Sequence, residues 1–233
     1  MPAPGPTPDF QSGRICYRNA SGETGREWFE MVRHGHGDQG TRTLRAFCEM
    51  DDMDLSRDVT IALNADHAPV DAFVRVIRAG QIIGSTLFQV EADRLTCQGR
   101  IIGLGDIHQS IPLSRPLTYL GLHPLVGDAL IALARGTSEP GRYQPIACYT
   151  NSQSPAGEEG LTAMPVIIDV AYLGEAALDV AAGHYQARGY SLRWKPEWAP
   201  AQLWVHGEDA LFLKLEWPML GLGYELVDHR TSR

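Results

Sequence analysis

The chain lacks paired cysteines. Its four, Cys16, Cys48, Cys97 and Cys148, lie at least 32 residues apart, which excludes Cys-x-x-Cys redox pairs and zinc ribbons. Three of them end apolar runs, Ala46-Phe47-Cys48, Leu95-Thr96-Cys97 and Ile146-Ala147-Cys148, where a thiol behaves as a small buried hydrophobe. Reduced thiols of this kind point to the cytoplasm. Basic residues are also short: 20 Lys and Arg stand against 28 Asp and Glu, for a net charge of −8. The arginines are scattered singly, so there is no basic footprint for nucleic acid, and anionic membrane surfaces are repelled. Long apolar runs are missing; the longest, Ala129 to Ala134, is far too short to span a bilayer. The Pro-rich start, Met1 to Pro8, has neither a positive n-region nor an apolar h-region, so it reads as an extended leader rather than a signal peptide. Nucleophile elbows, Walker loops, His-Glu-x-x-His and paired glycosidase-like carboxylates are all absent.

Helical periodicity is nearly absent as well. What replaces it is a succession of period-two segments broken by turn residues. Gly25 to Arg33 and Thr41 to Met50 flank a glycine-rich break that signals a hairpin. Asp58 to Asn64, Asp71 to Arg78, Gln81 to Val90 and Leu95 to Ile102 follow, and Ile107 to Leu113 extends the series to Pro112. The middle, Leu117 to Arg135, is less regular, and its segment Ala129 to Arg135 suits a helical turn or a buried strand equally. Strand signals resume at Val166 to Leu173, Glu175 to Val180, His184 to Trp194, Gln202 to His206, Ala210 to Trp217 and Tyr224 to Val227. The count is roughly ten to twelve strands with short connections, which favours an antiparallel meander.

Several of these strands are apolar on both faces: Val74 and Val76 alternate with Phe73 and Ile77, and Leu211, Leu213 and Leu215 with Phe212. An open sheet with one wet face would alternate more cleanly. The expected fold is therefore all-β, a meander closed into a barrel or strongly curled into a half-barrel, with the short helical or irregular middle segment covering one side. One domain over residues 14–228 is expected, with a Pro-rich leader at 1–13 and a frayed tail at 229–233. With 233 residues, 44% apolar, the chain can bury roughly 70% of its unfolded surface without staples.

The hairpin succession from Gly25 to Val227 resembles, in architecture, the lipocalin-like and calycin-like small-molecule-binding barrels. Gly25-Arg26-Glu27-Trp28 sets its Gly and Trp one residue further apart than the lipocalin Gly-x-Trp signature. The resemblance implies a β-rich cup able to hold one small ligand.

Within that frame a few residues carry candidate chemistry. His123-Pro124-Leu125-Val126-Gly127-Asp128 places an imidazole and a carboxylate between apolar stretches, the ingredients of a proton shuttle. The same letters also make a turn, with Asp128 capping a short helix and His123 bonded to a backbone group. Arg75 shares a strand face with Phe73 and Ile77; if that face is interior, its guanidinium would stabilise developing negative charge, and if exterior, it is a surface cation. His108, with Asp106 and Ser110 nearby, is a further candidate, while Tyr119, Phe88, Trp204 and Tyr224 are candidate ligand-contacting aromatics. His34, His36 and Asp38 carry metal-ligand letters but sit in a glycine-rich turn, so no metal site is expected.

These ingredients suggest a cofactor-independent isomerase, lyase or hydratase acting by acid–base chemistry on a hydrophobic terpenoid or aromatic compound. The alternative is a non-catalytic carrier for an apolar metabolite. Expected partners are a small hydrophobic molecule, with neither nucleic acid nor membrane; a homodimer is compatible with the sequence.

Overall fold

Alternation of side chains across the backbone builds the molecule almost entirely from strands. The computed structural model describes residues 10–35, 40–154, 157 and 160–232. The first half is a meander of β1 (Phe10–Asn19), β2 (Gly22–His34), β3 (Thr41–Met50), β4 (Leu55–Leu63), β5 (Pro69–Arg78), β6 (Gln81–Val90), β7 (Arg94–Ile101) and β8 (Gly105–Pro112). The chain then passes through a two-residue β9 (Leu120–Gly121) and two short helices, α1 (Leu125–Asp128) and α2 (Ile131–Arg135). A second meander follows: β10 (Tyr143–Thr150), β11 (Met164–Val180), β12 (Gly183–Arg193), β13 (Ala201–His206), β14 (Leu211–Trp217) and β15 (Leu222–Ser232).

The two meanders join side by side through β1 and β15, giving one 15-stranded sheet that runs from β8 at one edge to β9 at the other. Every neighbouring pair is antiparallel except β9 with β10. The sheet curls on itself without closing. Its inner face is mostly apolar where it meets the core: β4 points Leu55, Val59, Ile61 and Leu63 inward, and β5 points Ala72, Val74 and Val76. Register shifts at Arg14/Ile15, Ala62/Leu63, Val76/Ile77 and Tyr172/Gly174 supply local bends, as β-bulges do. Glycine allows the tightest approaches: a Cβ on Gly99 would lie 2.1 Å from the Ser85 carbonyl oxygen, and one on Gly25 2.2 Å from that of Glu49.

The middle segment fills part of the hollow. Leu117, Leu122, Val126, Ala129, Ile131 and Ala132 are all buried. α1 touches β14, and α2 touches β10 and β11. Ala129 to Arg135, ambiguous by periodicity, resolves into helix at Ile131–Arg135.

Fifteen strands exceed the expected ten to twelve. β1, β9 and β10 carry mixed or very short patterns that periodicity does not separate from loop, whereas the two expected strands flanking Gly174 are one bulged strand, β11. Pairing also reaches past the expected domain limits at both ends: Phe10 lies opposite Ser232, and Gly13 opposite His229. Each terminal segment satisfies the other's backbone groups, so neither is frayed there. Residues 1–9, and His36 and Asp38 of the expected hairpin loop, lie outside the described residues. Among the described residues, no helix is long and apolar enough to cross a membrane.

Candidate functional site

Because the strands are antiparallel, alternate turns gather at one end of the sheet. At that end a cleft of about 620 Å³ opens into the curl. Its lining combines two chemistries.

Part of the lining is aromatic. Trp194 stacks on Trp217 with ring centroids 4.6 Å apart, and Trp198 tilts against Trp217 at 5.6 Å. The Trp217 indole N–H donates to the Ala199 carbonyl over 2.9 Å, which fixes the ring. Lys195 lies over the Trp198 ring, 4.4 Å from its centroid. Tyr224 and Tyr17, packed edge to face at 5.1 Å, also border the space.

A second group of lining residues is polar. Tyr119 donates its hydroxyl hydrogen to Asp128 Oδ1 over 3.1 Å. Burial pushes the Asp128 carboxyl up to about 7, the nearby Glu27 adds to the shift, and the Tyr119 bond and Arg57 oppose it. Burial also pushes the Tyr119 phenol well above its ordinary range. Arg57 points inward from β4, almost fully buried, and its Nη2 donates to the Gly157 carbonyl over 2.9 Å. His123, in the left-handed region at φ 71°, donates from Nε2 to the Ser152 carbonyl over 3.1 Å. Gly157 is where these groups converge: a Cβ there would lie 2.7 Å from both the Arg57 guanidinium and the His123 ring.

Behind this wall, Glu27 anchors the segment that carries Asp128. It is fully buried on β2, where its carboxylate accepts the backbone N–H of Leu125 (2.7 Å) and of Val126 (2.9 Å) and the Tyr17 hydroxyl (2.8 Å). A strand side chain thus satisfies the orphan amides at the start of α1. Burial raises the Glu27 pKa, and the two amides oppose that rise.

Of the residues expected from sequence, His123, Asp128, Tyr119 and Tyr224 border this one cleft. His123 hydrogen-bonds the 150–154 segment rather than Asp128, so the two do not form the expected shuttle pair. Four further candidates lie away from this cleft. Arg75 lies on the outer face, ion-paired with Asp58 at 3.1 Å and resting 5.0 Å from the Phe73 ring centroid, because Ala72, Val74 and Val76 take the inward phase of β5. His108 is exposed on the edge strand β8. Trp204 takes the outward phase of β13, beneath Lys214. Phe88 is interior but is packed in the core away from the cleft.

Glu27, Arg57 and the tryptophans were not singled out by sequence reasoning. Glu27 and Arg57 did leave a signal: each occupies the inward phase of an alternating strand, between Gly25 and Phe29 and between Leu55 and Val59. Trp194, Trp198 and Trp217 come from a loop and a strand end and meet only through the fold, so spacing carries no trace of them. Among the described residues, no group of three or more His, Cys, Asp or Glu side chains is placed to hold a metal ion.

Similarity to known proteins extends to the fold. The solved structure of a β-barrel-like protein with domain of unknown function DUF1849 from Brucella abortus aligns with 97% of this chain and 98% of its own at a TM-score of 0.51 and 9% identity. A DUF1089 family protein from Pseudomonas aeruginosa aligns with 82% of this chain and 89% of its own at a TM-score of 0.46 and 16% identity. No family model matches the sequence, and no curated protein matches it significantly. The chain shares a barrel-like fold with the Brucella protein.

Proposed function

We propose that the cleft binds an apolar small molecule bearing one polar group. The observation that carries this reading is the mixed lining of the cleft: Trp194, Trp198 and Trp217 border the same space as Asp128, Tyr119 and the buried Arg57. Its volume, about 620 Å³, suits a drug-sized molecule, and sites of this class combine apolar walls with a few placed polar groups. The apolar body packs on Trp194 and Trp217, and the polar group meets Asp128 and Arg57. In this respect the cleft works as a lipocalin-like cup does, by enclosing an apolar ligand within curled strands.

The test is a fluorescence titration with the neutral apolar probe N-phenyl-1-naphthylamine. Ile167 borders the cleft and is 60% exposed, whereas Leu173 lies further along the same strand, 50% exposed and away from the cleft. Ile167→Glu is expected to weaken probe binding at least tenfold, and Leu173→Glu to leave it unchanged. Equal binding by both variants, or no saturable binding by the parent protein, refutes the reading.

A second reading rests on Asp128 alone. A carboxyl held near 7 and hydrogen-bonded to a phenol is matched to proton transfer at neutral pH, so the cleft is suited to cofactor-independent isomerisation, elimination or hydration of its ligand. Here Asp128 transfers the proton and Tyr119 orients the carboxyl. Asp128→Asn would abolish turnover of a substrate while preserving probe binding; a variant that still turns over eliminates this reading.

A further inference from the structure

Single exposed hydrophobic residues are ordinary on any protein, but here their placement is not even. Among the described residues, the four most exposed large hydrophobics are Leu104 (82%), Ile102 (63%), Ile167 (60%) and Ile82 (57%). All four lie at the end of the sheet where the cleft opens, and Met219 and Leu220 join them there. The pairing register establishes the shared end. Asn19 lies opposite Gly22, Gly25 opposite Met50, Leu55 opposite Arg78, Gly84 opposite Ile101, and Arg18 opposite Gly223. The turns after β1, β3, β5, β7 and β14 therefore stand side by side along one rim. Backbone bonds tie the row: Ala79 N–H donates to the Asp54 carbonyl and Ile102 N–H to the Ile83 carbonyl.

We infer that this rim docks on a lipid–water interface whose headgroups are zwitterionic, with Ile82, Ile102 and Leu104 entering the apolar boundary. The proposal rests on the cleft-binding reading only for its purpose, the exchange of an apolar ligand with the lipid phase; docking itself stands on the rim.

Three features favour lipid over a protein partner. The exposed side chains are aliphatic and few: Ile102 and Leu104 project from the β7–β8 turn and Ile82 from the adjoining start of β6, a small cluster rather than the continuous face of roughly 800 Å² that a stable protein interface needs. The β7–β8 turn is held in shape by Gly103 and Gly105, both at positive φ, and by the Leu104 N–H bond to Ile101, so little ordering accompanies insertion. Charges of both signs are interleaved among the tips: Arg78, Arg100 and Lys195 stand near Asp51, Asp52 and Asp106. A headgroup carrying both charges complements such a rim. An anionic surface does not, given the net −8 of the chain. The sequence-based expectation of no membrane partner rested on that net charge, which bears only on anionic surfaces, and on the lack of a long apolar run, which bears only on spanning. Shallow insertion of a few aliphatic groups matches reversible interfacial binding.

The experiment is flotation of the full chain with phosphatidylcholine vesicles, alongside phosphatidylglycerol vesicles, for the parent protein and for Ile102→Asp/Leu104→Asp. Both substitutions fall on exposed positions outside the cleft, and circular dichroism checks that the variant folds. The parent is expected to float with phosphatidylcholine and the variant to lose at least tenfold of the bound fraction, while its N-phenyl-1-naphthylamine titration stays unchanged. Failure of the parent to float, flotation only with phosphatidylglycerol, or equal flotation of parent and variant overturns the proposal. So does a parent dimer in sedimentation velocity that the variant abolishes, since the rim would then belong to a second copy of the chain. Loss of probe binding by the parent would refute the cleft reading without touching the flotation result.

Discussion

Tyr119 and Asp128 are joined by a 3.1 Å hydrogen bond at the wall of the cleft, and the strand residue Glu27 holds the helical turn between them. A buried carboxyl and a half-buried one thus bracket one short helix. The deeper one is fully committed to backbone amides and a phenol, and the shallower one faces the cleft with a single phenol partner.

The raised pKa of Asp128 has a definite sign for stability. In an unfolded chain an aspartate titrates near 3.9, and here burial pushes the carboxyl up to about 7. The native state therefore holds a proton that the unfolded state has lost between those values, so this group's contribution is complete below about pH 4 and declines as pH rises to about 7. Asp128→Asn removes that slope. Relative to the parent, its stability should improve from pH 4 to pH 8 by on the order of 2 kcal/mol, less than the full shift implies because the carboxyl borders a solvent-accessible cleft. Urea midpoints measured at both pH values decide it; the same difference at each would show that Asp128 titrates normally.

Glu27→Ala strands two amides and a phenol in a buried space. Unsatisfied buried groups cost about 1–3 kcal/mol each, so an overall loss of about 3 kcal/mol is expected. Chemical denaturation reads this directly. A loss below about 0.5 kcal/mol would mean that α1 is held by its apolar contacts alone.

Arg135 is buried, and its guanidinium donates to the carbonyls of Val170, Ser138, Glu139 and Arg142 at 2.8–3.2 Å. A lysine offers a point charge rather than a planar fork. Arg135→Lys should therefore lower stability by about 2 kcal/mol. A thermal unfolding curve unchanged from the parent would contradict this.

Gly157 should reject any side chain. Its φ of +65° disfavours L residues, and a Cβ would press on Arg57 and His123 at 2.7 Å. Gly157→Ala is expected to cost about 1–3 kcal/mol and to perturb probe binding in the cleft, both measurable on one preparation. Parent-like values for the two together would show that the loop simply moves aside.

The curled sheet could be read from strand patterns because alternation is a local property. Thr41 to Met50 and Gln81 to Val90 match β3 and β6 residue for residue. The phase of that alternation is not local. Arg75 and Trp204 looked as fit for the interior as for the surface, and only burial of their immediate neighbours sends them outward. Similarly, His123 and Asp128 were recognisable as a polar pair in an apolar stretch, yet their partners, Ser152 and Tyr119, depend on how the 117–135 segment threads the sheet. Convergence of Trp194, Trp198 and Trp217 is a tertiary event with no sequence period.

A closed barrel has its girth set by strand number and stagger, because every strand is bonded on both sides. Here β8 and β9 end the sheet without meeting, so no such equation fixes the width of the interior. A side chain ties the β8 edge across the gap: the Gln109 amide donates to the Ala163 carbonyl over 3.1 Å and accepts the Ala163 N–H over 2.8 Å, a smaller constraint than a ladder of backbone bonds. On the proposed binding reading, such a container should select by graded ligand size rather than by one sharply preferred shape.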